Sequence, residues 1–382
     1  MIAKSMEDLV KNNSVIREMF EQGNKLKKIY GKENVYDFSI GNPSVKPPKE
    51  VNEAICQVLE DKNVHSYMNN SGYEKVREII ANSINRRFQT KFEKENIAMC
   101  VGAAGGLNVV LKSILDANDE VLVCVPYFME YNNYIANFGG KYVKVLCDEC
   151  FNPDMKDLEN KITEKTKAII INNPNNPSGV VYSEETIKKI ADILKKKEQE
   201  FKQEIYIISD EPYREIVYDG IEVPYISKYY DDTIIVYSYS KSLSLPGERI
   251  GYIVIPREVH DFENLVQAIS ISTRILGFVN APSLFQKVIA ECVDLTANLA
   301  EYTKNRDILY DGLKECGYEC IKPQGAFYLF LKSPIEDEKE FCNIAKKHNI
   351  LMVPGSSFSY PRICTFSILY RNKNDRKIHS RI

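Results

Sequence analysis

The sequence predicts an α/β protein: a large domain built on a mostly parallel seven-stranded sheet covered by helices, plus a smaller α+β domain. Three observations carry this. Apolar runs near 97–101, 121–125, 142–146, 168–172, 205–209, 233–238 and 250–255 alternate with helix-like segments, except between the last two. Continuous β-branched stretches such as Ile234-Ile235-Val236 mark strands buried on both faces, as in a sheet with helices above and below. A chain of 382 residues exceeds one small domain. The expected division is 45–285 for the large domain, with 1–44 and 286–382 forming the small one.

In chain order, 14–30 reads as an amphipathic helix ended by Gly31. A short strand at 35–40 is broken by Gly41-Asn42-Pro43, and 48–59 is a helix with proline in its first turn. A polar loop, 65–73, carries Tyr67 and Tyr73 before a helix that runs to about Phe88. The seven sheet strands and their crossovers follow. The last connection, 241–249, is too short for a helical crossover, so the seventh strand should run antiparallel. The run 195–200 reads as the solvated end of a helix. Past Pro256 the pattern changes to a helix at about 257–271, a long and broken helix from near Pro282 to beyond Asn305, and strand-like pieces at 325–331 and 350–353.

Hydrophobic content of 44% and charged content of 27% are those of an ordinary globular protein. A net charge of −3 argues against a nucleic acid or a membrane surface as partner. Residues 1–10 lack the apolar core of a signal peptide, and no window is long and apolar enough to span a bilayer. The ten cysteines are scattered, and the Cys147–Cys150 pair has no second pair to complete a zinc site. They read as reduced thiols of a cytoplasmic protein without a bound metal.

The chemistry gathers where strands end. The strand at 233–238 turns abruptly polar, delivering Ser238, Ser240 and Lys241 to the sheet edge, with Arg249 following. Ligands of open α/β sheets bind at that edge. Two hydroxyls, an amine and a guanidinium can grip a phosphate and hold an aldehyde, which is the equipment for pyridoxal 5'-phosphate. Taken singly, Lys241 also fits an ordinary surface lysine. Gly102-Ala103-Ala104-Gly105-Gly106 opens a helix, so its amides could reach a phosphate or simply permit close packing. Phe128 could cover a ring face or belong to the core. The stretch 172–179, rich in Asn and Pro, is good turn chemistry. Asp210, at the end of a buried strand, is costly unless it meets a cation such as a protonated pyridine nitrogen. Tyr213, shortly after, could reach a ring hydroxyl.

The ordered set Gly41-Asn42-Pro43, Tyr67 with Gly72, 102–106, 126–128, 172–179, 209–213, 238–241 and 247–252 resembles the class I/II aminotransferase family, fold type I pyridoxal-phosphate enzymes. The likeness runs from about Asp37 to Phe358. It implies Lys241 as the Schiff-base lysine, Asp210 as partner of the pyridine nitrogen, and Tyr213 and Asn176 as donors to the ring oxygen. It implies Phe128 stacked on the ring. The phosphate would be held by the amides of Ala103 and Ala104 and the side chains of Ser238, Ser240 and Arg249. Gly41 and Asn176 would line the substrate carboxylate. Tyr67 would reach the phosphate of a neighbouring subunit, so the implied assembly is a homodimer. Where the family often has a hydroxyl residue, Ala104 leaves the backbone to suffice.

The implied activity moves the amino group of an L-amino acid to a 2-oxo acid through Lys241, which acts as general base and then acid. Two alternatives share the scaffold: a β-lyase or decarboxylase, and a non-catalytic pyridoxal-phosphate-binding regulator. Regulators of that kind carry an extra N-terminal DNA-binding domain, and the forty or so residues before the first motif are too few for one. Arg274 falls near a stretch that meets the substrate side chain in related enzymes, though a structural ion pair explains it as well.

The C-terminus departs from the family. Pro354-Gly355-Ser356-Ser357-Phe358 fits, but the family follows with a Pro-Gly turn and a strand whose arginine pairs with the substrate carboxylate. Here Arg362 comes too early, and Thr365 stands at the arginine's place. Permitted codons, read with one base skipped after Pro361, give Pro-Gly-Tyr-Val-Arg. The segment 371–381 is polar and basic, with no apolar face to bury. The expectation is that residues from about 362 onward are a frameshift product. The alternative is a divergent tail in which Arg362 turns in to hold the carboxylate.

Overall fold

The computed structural model describes residues 2–11, 15–39 and 41–369. The chain begins with α1 (Lys4–Lys11), α2 (Val15–Tyr30), the two-residue strand β1 (Tyr36–Asp37), α3 (Lys49–Val58) and α4 (Glu74–Phe88). Then come β2 (Ile97–Cys100), α5 (Gly102–Ile114), β3 (Glu120–Cys124), α6 (Glu130–Ala136), β4 (Lys141–Val145), α7 (Met155–Lys161), β5 (Thr166–Asn172), α8 (Glu184–Phe201) and β6 (Tyr206–Asp210). After β7 (Thr233–Ser238) a single turn, α9 (Tyr239–Ser242), leads to β8 (Gly251–Val254). The remainder is α10 (Phe262–Ile275), α11 (Ser283–Cys292), α12 (Ala300–Glu315), β9 (Tyr328–Lys332), α13 (Glu338–Lys347), β10 (Ile350–Leu351), β11 (Val353–Pro354) and β12 (Ile363–Ser367).

The large sheet has the order β2-β8-β7-β6-β5-β3-β4. All its pairings are parallel except those of β8, which runs antiparallel to both β2 and β7, as the short 241–249 connection requires. Successive residues of β7 feed opposite layers. Ile234 and Val236 pack with Leu107 and Val110 of α5 and Ile269 of α10. Ile235 and Tyr237 pack on the other side with Ile80 of α4 and Val288 and Ile289 of α11. Each fully buried side chain of this kind is worth roughly 1.5–3 kcal/mol, so the central strands are fixed in register from both faces. Crossovers from strand to parallel strand leave the carboxyl ends of β2, β3, β5, β6 and β7 on one edge of the sheet.

A second core belongs to the antiparallel sheet β11-β12-β9 and to the parallel pair β1-β10. Phe327, Leu329, Leu331, Cys364 and Phe366 pack there with Tyr302 of α12 and Cys342 of α13.

Local differences from the sequence reading have identifiable causes. The helix expected at 257–271 starts at Phe262, after Asp261 takes a left-handed conformation (φ 54°). The long helix expected from Pro282 is broken, as the sequence suggests, into α11 and α12, separated at 293–299. The strand expected at 35–40 is reduced to Tyr36–Asp37, and Ile40 lies outside the described residues. β9 begins at Tyr328 rather than Gly325, because Ala326 adopts a positive φ of 57°. Ser14 and the segment 370–382 also lie outside the described residues. Among the described residues, no helix is long and apolar enough to cross a membrane, no His/Cys/Asp/Glu cluster could hold a metal, and none of the ten cysteines forms a disulfide.

Candidate active site

Five strand ends and the β11–β12 edge enclose a cavity of about 360 Å³. Of the residues singled out by sequence, Gly41, Ala103, Ala104, Phe128, Asn176, Asp210, Tyr213, Ser238, Ser240, Lys241 and Arg249 all line it.

Lys241 sits in α9, where β7 turns into a helix capped by the Ser238 side chain, which accepts from the Ser240 amide. Its Nζ donates to the Gly41 carbonyl at 2.8 Å. Burial, with the Arg249 guanidinium as a second cause, lowers its pKa to about 8. At pH 7 the amine is still mostly ammonium, but it gives up its proton far more readily than an ordinary lysine. A Cβ on Gly41 would collide with the Tyr328 hydroxyl, so a larger residue there would have to displace that side chain.

Asp210 ends β6 and is 5% exposed. Its Oδ2 accepts from the Tyr131 hydroxyl at 2.5 Å, while its buried Oδ1 has no protein partner among the described residues. Burial pushes its carboxyl up to about 7, against the lowering effect of the Tyr131 bond. The Asn172 side-chain amide holds the Asp210 carbonyl at 2.9 Å, and the Asn172 carbonyl accepts from the Asn176 amide at 2.6 Å. Asn176 in turn donates to the Tyr213 hydroxyl at 3.5 Å. The asparagine-rich turn is therefore a chain of hydrogen bonds tying the end of β5 to the end of β6.

A third group can receive an anion. Ser238 and Ser240 exchange a hydroxyl bond of 2.8 Å, and Arg249 reaches Ser240 at 3.4 Å and the Pro246 carbonyl at 2.9 Å. Arg249 itself has a positive φ of 52°. A Cβ on Gly102 would lie 2.6 Å from the guanidinium, so glycine there lets Arg249 lie against the N-terminus of α5. Two hydroxyls, a guanidinium and open helix amides converge, the donor set of a phosphate cradle.

The residues fit pyridoxal phosphate on that evidence: an anion cradle, an amine near neutrality, and a buried carboxylate oxygen that lacks a donor. Tyr67 is not part of this chain's cavity. It is 89% exposed. Arg274 is exposed on α10. Arg362 does not turn in: it pairs with Glu336 at 2.7 Å and borders a separate cleft with Glu149 and Phe151. Thr365 does reach the cavity, so the position that the family pattern reserves for arginine is at the site but carries a hydroxyl. Sequence reading missed Tyr131, Tyr134, Tyr328 and Phe358, which also line the cavity. The spacing Phe128, Tyr131, Tyr134 is one helical face, a signal that was present in the sequence.

Comparison with known proteins agrees with this geometry. The pattern of the family described as aminotransferase class I and II matches residues 33–378. A curated relative, the probable aspartate aminotransferase of Methanocaldococcus jannaschii, is 31% identical over 90% of this chain and 89% of its own length. The probable N-acetyl-LL-diaminopimelate aminotransferase of Bacillus subtilis is 31% identical over 86% of this chain and 82% of its own. The crystal structure of an amino transferase from Eubacterium rectale superposes with a TM-score of 0.97 at 46% identity, covering 100% of this chain and 97% of that one. The aspartate aminotransferase of Thermus thermophilus with maleate gives 0.88 at 25% identity, covering 100% and 99%.

Proposed function

This chain belongs to the aminotransferase class I and II family and is an aminotransferase, and from that premise we propose how its residues carry the reaction. The cofactor is pyridoxal 5'-phosphate, and the substrates are an L-amino acid and a 2-oxo acid. When bound, the cofactor supplies an aldehyde that captures amines and a ring that accepts the electrons left at the α-carbon.

Arg249, Ser238, Ser240 and the amides of Ala103 and Ala104 would hold the phosphate. Phe128 would cover the ring face. Tyr213 and Asn176 would hold the ring oxygen. The open Oδ1 of Asp210 would keep a proton on the ring nitrogen. Lys241 would hold the cofactor aldehyde, and its Nζ would take the proton from the substrate α-carbon, with the Gly41 carbonyl within reach to hold that amine in place. Burial shifts the two central groups in opposite directions, the amine to about 8 and the carboxyl to about 7. That pairing in one cavity is the observation that carries the reading.

Tyr67 completes the phosphate site of a second copy, so the working form is a homodimer. We read 45–285 as the large domain and the remainder as the small one. The free cysteines support a reducing compartment, the cytoplasm. The relatives' names differ among aspartate, prephenate and N-acetyl-LL-diaminopimelate, so the reading stops at the substrate class.

The test is a panel of amino acids with 2-oxoglutarate and added pyridoxal phosphate, scored by glutamate formed. Amine transfer supports the reading. Release of pyruvate and ammonia without glutamate would instead assign a β-lyase.

A further inference from the structure

We propose that Tyr131 is a positioning residue for the reaction: it clamps one oxygen of Asp210 and so presents the other to the ring nitrogen of the cofactor. The inference rests on the reading of Asp210 given above.

The geometry is specific. Tyr131 is 1% exposed and stands at the start of α6. Its hydroxyl donates to Asp210 Oδ2 at 2.5 Å, the length of a charge-assisted O–H···O⁻ bond. The phenol cannot swing away. It stacks parallel to Tyr127 (6.4 Å, 7°) and meets Phe128 edge-on (5.6 Å, 85°). The Tyr131 amide also donates to the Phe128 carbonyl at 3.1 Å. One turn of chain thus carries both the aromatic that covers the cofactor face and the clamp on the carboxylate beneath its nitrogen. Asp210 has no second side-chain donor, since Oδ1 is unpartnered among the described residues.

The consequence is electrostatic. Asp210 is faced by Tyr131 and Tyr134 of α6 and by Glu211 and Tyr213 of its own segment, and it shares the cavity with Lys241 and Arg249. Burial and Glu211 favour the neutral acid, and the Tyr131 bond opposes them. Tyr131 is itself held well above the usual tyrosine range by burial and by Asp210, so it stays a donor at every working pH. Without the hydroxyl the carboxyl rises further and is protonated at neutral pH. A neutral acid can still accept a hydrogen bond from a protonated ring nitrogen but supplies no charge to keep that proton there.

Tyr131→Phe keeps the ring packing and removes only the clamp. In the cofactor-free protein, the Asp210 carboxyl is titrated by infrared difference against Asp210→Asn. Its midpoint should rise by about one pH unit or more on Tyr131→Phe. In the loaded enzyme, kcat should fall about tenfold or more with KM little changed, and the fall should deepen as pH drops. Added to Asp210→Asn, Tyr131→Phe should cost less than a further twofold. A folded Tyr131→Phe with an unmoved carboxyl midpoint overturns the proposal, as does full additivity with Asp210→Asn. If Asp210→Asn alone leaves turnover unchanged, the reading of Asp210 fails instead, and the carboxyl titration still decides whether Tyr131 clamps it.

Discussion

Replacing Thr365 with arginine should improve the use of carboxylate substrates. Thr365 lies on β12, paired with Phe330 on one side and Val353 on the other, and is 2% exposed. It lines the cavity together with Lys241, Asn176 and Tyr328. Its hydroxyl makes one long contact, 3.4 Å to the Val353 carbonyl, so little is lost with it. The gain is two charge-assisted hydrogen bonds to a substrate carboxylate, roughly 1.5–3 kcal/mol each. Ordering the long side chain costs up to about 2 kcal/mol, and desolvating the guanidinium takes a further share. The remainder, on the order of 1.4–2.8 kcal/mol, is a ten- to hundredfold rise in kcat/KM. The assay is single-turnover reaction of the pyridoxal-phosphate-loaded enzyme with an amino acid, and with the same amine lacking its carboxyl group. Thr365→Arg should lower the half-saturating concentration for the first and leave the second unmoved. Equal change for both compounds, or no change in a variant that folds and binds cofactor, refutes the placement. Reading the gene at codon 362 decides the origin of the tail: a one-base shift restoring Gly-Tyr-Val-Arg makes the arginine enzyme the native one.

Lys241→Ala should abolish transfer while cofactor-phosphate binding persists; turnover above a trace would remove Lys241 from the reaction. In the cofactor-free wild type, acylation of Lys241 should reach half its maximal rate near pH 8, and Arg249→Gln should raise that midpoint because a neighbouring cation is gone; a wild-type midpoint near 10.5, the ordinary lysine value, contradicts the burial argument. Asp210→Asn should leave the cofactor bound but slow α-proton removal by several orders of magnitude, seen as loss of the single-turnover rate. Because the folded carboxyl titrates near 7 and the unfolded one near 3.8, the native state binds more protons between those values and loses stability as pH rises through that window. Asp210→Asn should therefore raise the melting temperature of the cofactor-free protein more at pH 8 than at pH 4. Tyr67→Phe should weaken cofactor binding although Tyr67 does not line its own chain's cavity; wild-type affinity, or a fully active monomer at micromolar concentration, would count against the dimer.

The large sheet was legible because its signal is redundant. A strand such as β7 is β-branched throughout, so register, burial and both covering layers agree. Lys241, Asp210 and Arg249 were legible for a related reason: Asp210 ends a buried strand, Lys241 closely follows one, and Arg249 just precedes the next. What was missed lies off the strand ends. Tyr131 and Tyr134 sit on α6, and their helical face looks like ordinary core packing until the strand end it covers is known. Tyr328 opens β9 of the small sheet and Phe358 lies in the turn between β11 and β12; those strands are short and pair across long sequence gaps, so no local period announces either residue. The alternative in which Arg362 turns in fails for a local reason. Its positive φ of 67° and its pairing with Glu336 turn it toward solvent, while strict alternation along β12 sends Thr365 to the cavity.

The site is assembled against the stability of the chain that carries it. Asp210 is a carboxyl buried at the bottom of the cavity, with one oxygen unsatisfied. Lys241 is an amine whose charged form is disfavoured by the same burial. Neither group finds its natural partner in the other. Lys241 turns to the Gly41 carbonyl, and Asp210 to the Tyr131 hydroxyl. A direct ion pair between them would stabilise the empty protein, but it would also neutralise both groups. Keeping them apart leaves an amine free to accept a proton and a carboxylate oxygen free to hold a cation. Both strained positions sit at the ends of the most deeply buried strands, β6 and β7, where two hydrophobic layers can carry the cost.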